Sequence, residues 1–169
     1  AIKKLKQRGI HCVMLTGDRS EIAETFAESF GITEVHAEVL PSEKAGIISR
    51  YQDRGEIVAM VGDGINDAPA LTQADVGIAL GTGTDIAMES GDIVLVKGDL
   101  AGVVRTAILA EATFKKIKQN LFWAFIYNVI AIPLAFLGLL HPVIAEGAMA
   151  LSSINVVWNS NRLRKTHLF

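Results

Sequence analysis

Residues 61–71 read Val-Gly-Asp-Gly-Ile-Asn-Asp-Ala-Pro-Ala-Leu, or VGDGINDAPAL. The stretch completes an apolar run, Ile57 to Val61, that is typical of a buried parallel strand. Beyond that strand, Asp63 and Asp67 lie four residues apart, with the amide Asn66 between them. Two carboxylates and an amide at this spacing can hold a hard divalent cation such as Mg²⁺ beside a phosphate. A turn alone is a poor explanation for this pattern.

Outward from this stretch, strand-like runs alternate with helical patterns. Short apolar runs at residues 10–15, 76–80 and 93–96 predict further strands. Ile22, Phe26 and Phe30 repeat every four residues on one helix face, and Gly31 follows as a helix terminator. A second helix begins at Pro41. This alternation predicts parallel βαβ units, in which ligands bind beyond the carboxyl ends of the strands.

Polar residues also follow the first predicted strand. Thr16-Gly17-Asp18 comes directly after residues 10–15, and Asp18 and Glu21 have the spacing of a helix capping box. A lone Thr-Gly-Asp is more typical of a plain turn than of a binding site. Lys44, near the start of the Pro41 helix, can add a positive charge to phosphate oxygens, although a lysine in a first turn usually faces solvent.

Composition divides the chain into two regions. Of 169 residues, 18 are acidic, and 17 of these precede residue 120. The net charge of −2 gives no reason to expect a nucleic-acid partner, and the single cysteine excludes a disulfide framework and a cysteine-cluster zinc site. Because the chain begins at Ala1 with a helical pattern already under way, we expect the C-terminal piece of a longer polypeptide.

The second region predicts a membrane hairpin. Leu121 to Leu140 is a run of 20 residues without a formal charge, long enough to cross a bilayer at about 1.5 Å per residue. Val143 to Trp158 is a second, shorter apolar run. Basic residues flank both outer ends, so the positive-inside rule places both ends in the cytoplasm. Two buried helices of a soluble domain are the alternative, which the basic flanks and the length of the first run disfavour.

Polar side chains interrupt both predicted spans at similar depth. Tyr127 and Asn128 lie about eight residues from the cytoplasmic end of the first span, and Met149 and Ser153 lie at a similar distance in the second. A thioether is a soft ligand that favours Cu(I) over hard cations. The alternative is that Met149 packs against lipid while the serines bond across helices.

Several of these motifs together resemble a known family. Residues 14–18 (MLTGD), Lys44, the VGDGINDAPAL stretch, residues 83–87 (GTDIA) and residues 92–95 (DIVL) resemble the phosphorylation domain of P-type ATPases, within the haloacid-dehalogenase superfamily. The resemblance covers nearly the whole chain. It implies an α/β fold with a haloacid-dehalogenase-like parallel sheet and flanking helices in residues 1–99. A connecting cytoplasmic helix (100–120) and an α-helical transmembrane hairpin with a short tail (121–163) would follow.

The resemblance also implies roles for the residues of the first strand end and of the Pro41 helix. Thr16 and Gly17 would hold phosphoryl oxygens, and Asp18 would belong to the same catalytic group. Lys44 would neutralise charge on an aspartyl-phosphate. Protein groups that position and neutralise in this way are what phosphoryl transfer requires.

At the VGDGINDAPAL stretch the resemblance implies a magnesium site. Asp63 would coordinate Mg²⁺, Asp67 would support that site, and Asn66 would contact the phosphate. The nucleophilic aspartate of the family, in an Asp-Lys-Thr-Gly-Thr signature, does not occur in this sequence. We therefore expect that ATP is the phosphoryl donor only in an intact pump, and that this chain alone is inactive.

The membrane motifs resemble the copper-exporting, heavy-metal class of P-type ATPases. Tyr-Asn in the first span and Met-x-x-Ser-Ser in the second imply that Tyr127, Asn128, Met149 and Ser153 bind the transported Cu⁺, or Ag⁺. The expected protein is an ATP-driven efflux pump of the plasma (inner) membrane, with its phosphorylation domain and C-terminus in the cytoplasm. The helix from Leu100 to Lys118 would couple the two sites. Two alternatives are a soluble haloacid-dehalogenase-type phosphatase and a truncated, non-catalytic membrane partner.

Overall fold

The chain folds into two compact units, Ala1–Val104 and Arg105–Phe169. The computed structural model describes residues 1–63, 65–81, 89–139 and 141–165. Gly64 of the VGDGINDAPAL stretch, residues 83–87 and Leu140 lie outside these described residues.

The first unit is built from parallel strands and helices, as predicted. Its strands form a two-stranded sheet of order β1-β2 and a three-stranded sheet of order β3-β4-β5, and every pairing is parallel. The elements follow one another in this order: α1 (Ile2–Lys6), β1 (Val13–Leu15), α2 (Ser20–Phe30), β2 (Glu34–His36), α3 (Pro41–Gln52), β3 (Ala59–Gly62), a 3₁₀ turn (Ile65–Asp67), α4 (Ala68–Gln73), β4 (Val76–Leu80) and β5 (Ile93–Leu95).

The strand β2 was not predicted from the sequence, and β1 is shorter than expected. β2 pairs with β1 so that Val13 lies opposite Glu34 and Leu15 opposite His36. Glu34 and His36 are polar, so the strand has no apolar run to identify it. Residues 10–12 precede β1, although they belong to the apolar run from which that strand was predicted.

Helix α2 begins and packs differently from the expectation. The residue at its N-cap is Arg19, without a side-chain cap, so the predicted Asp18–Glu21 capping box is wrong. The helix buries Ala23 and Ala27 to 1% exposure, because small side chains allow close packing, whereas Ile22, Phe26 and Phe30 are each more than half exposed. Gly31 ends the helix with φ +70°, as predicted.

Helix α3 forms as its sequence predicts, and it carries Lys44 in its first turns. Pro41 occupies the first helical position, and the Leu40 N–H donates to Oε2 of Glu43 at 3.0 Å. The fixed φ of proline suits the first position of a helix, and the Glu43 carboxylate accepts the hydrogen bond of the Leu40 N–H, which has no partner within the helix. One turn further on, Ile47 and Ile48 are buried and anchor the helix in the first unit.

The core of the three-stranded sheet forms where α4 packs on it. Leu71 of α4 and Ala79 of β4 are essentially fully buried, with Met60 of β3 against them. A Cβ on Gly77 would lie 2.6 Å from the carbonyl oxygen of Leu71, so only glycine allows this close approach of the helix to the strand. The 3₁₀ turn Ile65–Asp67, which follows β3, is therefore joined to a helix that is tightly packed on the sheet.

The second unit contains the predicted helical pair. Helix α5 (Leu100–Phe136) begins in the first unit, and α6 (Pro142–Asn161) is followed by a 3₁₀ turn (Arg162–Lys165). Within the described ranges, α5 is the one helix long and apolar enough to cross a membrane. Helix α6 spans the second predicted segment with 20 residues, but its serines and asparagines make it more polar.

The first apolar run does not stay helical to its end. Helix α5 continues through Pro133, whose carbonyl accepts from the Leu137 N–H at 3.0 Å, and then ends at Phe136. Gly138 takes φ +70°, a left-handed conformation that glycine adopts without strain. The connection between the two helices therefore begins earlier than the composition predicted.

Candidate functional site

Lys44 and Asp67 form a mostly buried ion pair. The Nζ of Lys44 lies 2.6 Å from Oδ1 of Asp67, and the two side chains are 14% and 12% exposed. A lysine in the first turn of a helix usually faces solvent, but Lys44 is mostly buried. Because buried charges are costly unless paired, this contact fixes both side chains between α3 and the start of α4.

Gly62 makes room for Asp67. A Cβ at position 62 would lie 2.7 Å from Cβ and 2.9 Å from Oδ2 of Asp67, distances that real atoms do not reach. The backbone at Gly62 is not left-handed, so the glycine serves close approach and not an unusual turn. The carboxylate is thus packed directly against the end of β3.

Thr16, Gly17 and Asp18 form a hydrogen-bonded turn after β1. The Thr16 Oγ1 donates to Oδ2 of Asp18 at 2.9 Å, and the Asp18 N–H donates back to Thr16 Oγ1 at 3.2 Å. The N–H groups of Glu38 and Val39 donate to the carbonyls of Asp18 (2.8 Å) and Thr16 (3.0 Å). The Asp18 side chain binds within this turn and does not cap α2.

The predicted phosphate-site residues fall into two groups. The Thr16 turn contacts the segment between β2 and α3, and α3 carries Lys44 to Asp67. The Thr16 turn is the first group, and Lys44 with Asp67 is the second. Asp63 and Asn66, which precede Asp67 in the sequence, are exposed. Among the described residues no hydrogen bond joins Thr16 or Asp18 to Lys44, Asp63 or Asn66. The second group was predicted as a magnesium and phosphate site.

The donor set at the end of β3 suits Mg²⁺. This ion binds through one or two carboxylates and completes its shell with water and phosphate oxygens, so it does not need a protein cage. Asp63 offers an exposed carboxylate, whereas that of Asp67 is held by Lys44. The described residues contain no cluster of three or more His, Cys, Asp or Glu placed to hold a metal ion.

The four residues predicted to bind the transported metal lie on α5 and α6. Tyr127 is half-buried, and Asn128 is exposed, with its Nδ2 donating to the carbonyl of Ala124 at 2.8 Å. Met149 is 70% exposed, and the Ser153 Oγ donates to the Met149 carbonyl at 3.1 Å. Both polar side chains thus bond to their own helices, and no described hydrogen bond joins the two pairs.

A cluster of amides and a lysine joins α5 to α6, and it was not predicted from the sequence. Asn159 is its centre: Oδ1 accepts from Lys116 Nζ at 2.9 Å, and Nδ2 donates to Asn120 Oδ1 at 2.8 Å. The Asn120 Nδ2 donates to Ser160 Oγ at 2.8 Å, and Gln119 accepts from Lys116 (3.2 Å) and Asn159 (3.3 Å). The signal was present as Gln-Asn and Asn-Ser pairs at the ends of the apolar runs that basic residues flank.

A second polar cluster contains Tyr51 of α3, the first and last residues of β2, and His11 before β1. The Tyr51 hydroxyl donates to Oε1 of Glu34 and lies 2.8 Å from Nε2 of His36, while His11 lies 3.3 Å from the same carboxylate. Burial, and then Glu34, raise the pKa of Tyr51 to about 12. The cluster adjoins the first predicted strand end, because the Thr16 N–H donates to the backbone carbonyl of His36 at 2.9 Å. Before β1, burial raises the pKa of the Cys12 thiol, which is buried and forms no disulfide.

Comparisons with known proteins agree with this architecture. The family model for haloacid dehalogenase-like hydrolases matches residues 1–75. A copper-exporting P-type ATPase of Staphylococcus epidermidis is 56% identical over 168 residues, covering 99% of this chain and 21% of the relative. A protein of the same name from Staphylococcus aureus is 52% identical over the same lengths. The chain thus spans about a fifth of the length of these relatives.

Solved structures give the same result. A zinc-transporting PIB-type ATPase in the E2.Pi state matches with a TM-score of 0.90 and 37% identity, over 96% of this chain and 26% of that chain. The catalytic domain of the CPx-ATPase CopB-B matches with a TM-score of 0.57 and 35% identity, over 62% of this chain and 42% of that one. The copper-exporting relatives and the zinc-transporting structure match across both units, and on these matches the chain belongs to the P-type ATPase family.

Proposed function

We propose that this chain is part of an ATP-driven Cu⁺ efflux pump that works through an aspartyl-phosphate intermediate. The observation that carries the proposal is the buried Lys44–Asp67 pair, packed against Gly62 at the carboxyl end of β3. It is a charged site of fixed geometry at the edge of a parallel sheet where ligands bind. The copper-exporting relatives support the choice of cargo.

Phosphoryl transfer would depend on positioning and charge. Lys44 would lie beside the phosphoryl group and neutralise its oxygens, and Asp67 would hold the ammonium in place. Asn66 would donate a hydrogen bond to the same group. On the other strand end, Thr16 and Gly17 would bind phosphoryl oxygens through the hydroxyl and the backbone N–H, with Asp18 fixing the Thr16 hydroxyl.

Mg²⁺ would be held by Asp63, supported by Asp67. When bound, the ion would supply a positive charge that offsets the negative charge of the phosphoryl group during transfer. The nucleophilic aspartate and the nucleotide-binding segment would come from other parts of the longer protein, so the chain alone would not hydrolyse ATP. A soluble phosphatase is disfavoured because α5 offers an apolar, exposed surface.

Cu⁺ would bind between α5 and α6 at Tyr127, Asn128, Met149 and Ser153. The Met149 sulfur is the soft donor among these residues. The Met149 side chain is exposed on α6. The pump would lie in the plasma (inner) membrane with its phosphorylation domain and C-terminus in the cytoplasm. Helix α5 would couple phosphorylation to metal release, and Ag⁺ would be an alternative cargo.

The first test is metal-stimulated phosphorylation of the intact pump from ATP. Met149→Leu should abolish stimulation by Cu(I), because the thioether is lost while volume is nearly kept, and it should leave phosphorylation from inorganic phosphate intact. Ile154→Leu, on the same helix and 61% exposed in the native protein, is the matched control and should behave as wild type. Unchanged Cu(I) stimulation in Met149→Leu would contradict the assignment of the metal ligands.

A further inference from the structure

The hydrogen bonds of the Asn159 cluster (Lys116, Gln119, Asn120, Asn159 and Ser160) fix how α5 and α6 align. Asn159 uses its acceptor on Lys116 and its donors on Asn120 and Gln119, so its side chain has one favoured position. Asn159, Lys116 and Asn120 are all half-buried. Leaving a half-buried polar group without its hydrogen-bond partner costs free energy. A shift of one helix along the other would break these bonds and is therefore unfavourable.

The cluster also sets the depth of the residues further along each helix. Asn128 lies eight residues after Asn120, and Leu151 lies eight residues before Asn159. The chain leaves the cluster along α5 and returns to it along α6. Both positions therefore lie on the same side of the cluster, about 12 Å from it along the helix axes. Leu151 is midway between Met149 and Ser153. Asn128 is therefore level with the two residues proposed to complete the metal site.

We infer that the Asn159 cluster is a positioning device that holds the α5 and α6 metal ligands at one depth. The inference rests on the proposed function, since it concerns the same metal site. A slip of one helical turn would displace Met149 from Asn128 by about 5.4 Å, more than a metal–ligand bond can absorb. No described hydrogen bond joins the cluster to a proposed ligand, so its residues would act through alignment.

A distance measurement tests the alignment directly. Spin labels are introduced through unnatural amino acids at positions 132 and 144 of the intact pump in lipid nanodiscs, replacing Ile132 and Ile144, which are 66% and 62% exposed. Asn159→Leu should broaden or shift the distance distribution. Asn161→Leu removes an exposed asparagine two residues away that is outside the cluster, and it should leave the distribution unchanged.

A functional measurement uses the same pair of variants. In Asn159→Leu the Cu(I) concentration for half-maximal phosphorylation from ATP should rise about tenfold, which corresponds to about 1.4 kcal/mol, the net contribution of a single hydrogen bond such as that from Lys116. Phosphorylation from inorganic phosphate should stay at the wild-type level. Lys116→Met should act in the same direction, and the double variant should lose less than the sum of both single changes, because the two side chains share one interaction.

The outcomes separate this inference from the proposed function. Wild-type distances and wild-type Cu(I) dependence in Asn159→Leu would overturn the positioning role, even if Met149→Leu abolishes Cu(I) stimulation. Additive effects of Lys116→Met and Asn159→Leu would also overturn it. If wild-type protein shows no Cu(I) stimulation while Asn159→Leu alters the distances, the alignment stands and the assignment of cargo fails.

Discussion

The geometry of the candidate site depends on the glycine at position 62. Gly62 has no Cβ, and the carboxylate of Asp67 lies in the space that a Cβ would need. That carboxylate in turn holds Lys44 at 2.6 Å. The position of the Lys44 ammonium, which is proposed to contact the phosphoryl group, therefore depends on the absence of a side chain at residue 62.

Gly62→Ala should disable the site by displacing Asp67. We expect a loss of about 1–3 kcal/mol in the free energy of unfolding, as for other overpacked positions, measured by urea denaturation of the chain in detergent. Phosphorylation of the intact pump from inorganic phosphate should also be lost.

Gly46→Ala is the control for this prediction. Gly46 is exposed in α3, and apart from its chain neighbours and the backbone of its own helix no described atom lies within 4 Å of the place that a Cβ would take, so alanine should raise stability by about 0.5–1 kcal/mol. A Gly62→Ala protein with wild-type stability and phosphorylation would show that Asp67 relaxes without consequence.

At the scale of elements, Tyr51 ties α3 to β2. Its hydroxyl donates to Glu34 and contacts His36, two of the three residues of the strand. A three-residue strand offers few backbone hydrogen bonds, so side-chain bonds contribute much of its attachment to the helix. The raised pKa of Tyr51, to about 12, reflects burial and the neighbouring Glu34 carboxylate.

The raised pKa predicts how this attachment depends on pH. A folded-state pKa above the ordinary value near 10 means that the stabilisation is complete below pH 10 and is lost as the pH rises through about 12. Tyr51→Phe should lower the free energy of unfolding by about 1 kcal/mol at neutral pH, with a smaller difference above pH 10.

Tyrosinate absorbance checks this prediction because the chain has two tyrosines, Tyr51 and Tyr127. Subtracting the titration of Tyr51→Phe from that of the wild type isolates Tyr51, and the midpoint should lie near 12. Tyr127→Phe should leave that curve unchanged. A midpoint at the ordinary tyrosine value would contradict the hydrogen bond to Glu34.

Elements with a strong local pattern were predictable from the sequence, and those made by tertiary contacts were not. α3 has Pro41 at its start, and β4 is an apolar run between turns, so both were predicted near their observed bounds. β2 was missed because its polar residues are stabilised by Tyr51 and His11. Within the site, chemistry and spacing predicted which residues matter. The Lys44–Asp67 contact depends on how α3 packs, and it was not predictable.

For the first unit as a whole, the two sheets leave a gap. Among the described strands, β1 is paired on one side by β2, and β3 on one side by β4. A cavity of about 590 Å³ lies between them, lined by residues of both strands and of α3, among them Val13, Leu15, Ile47, Ala59 and Met60. Exposed apolar strand edges favour pairing with another strand.

One additional parallel strand between β1 and β3 would join the two sheets into one. Its carboxyl end would then lie between Thr16, after β1, and Asp63, after β3, which are the two separate groups of the candidate site. A nucleophile following such a strand would meet Lys44 and the proposed magnesium site together. We therefore expect that another part of the proposed pump supplies this strand, and with it the aspartate that would be phosphorylated.

Hydrogen exchange distinguishes a filled gap from an empty one. Amides of β3 (Ala59–Gly62) that point away from β4 should exchange faster in the 169-residue chain than in the intact pump, because only a further strand would accept their hydrogen bonds. Amides of β4 are the internal control, since β3 and β5 flank that strand on both sides in the chain itself. Equal exchange of the β3 amides in the two proteins would mean that no strand enters the gap, and that Thr16 and Asp63 are brought together in another way.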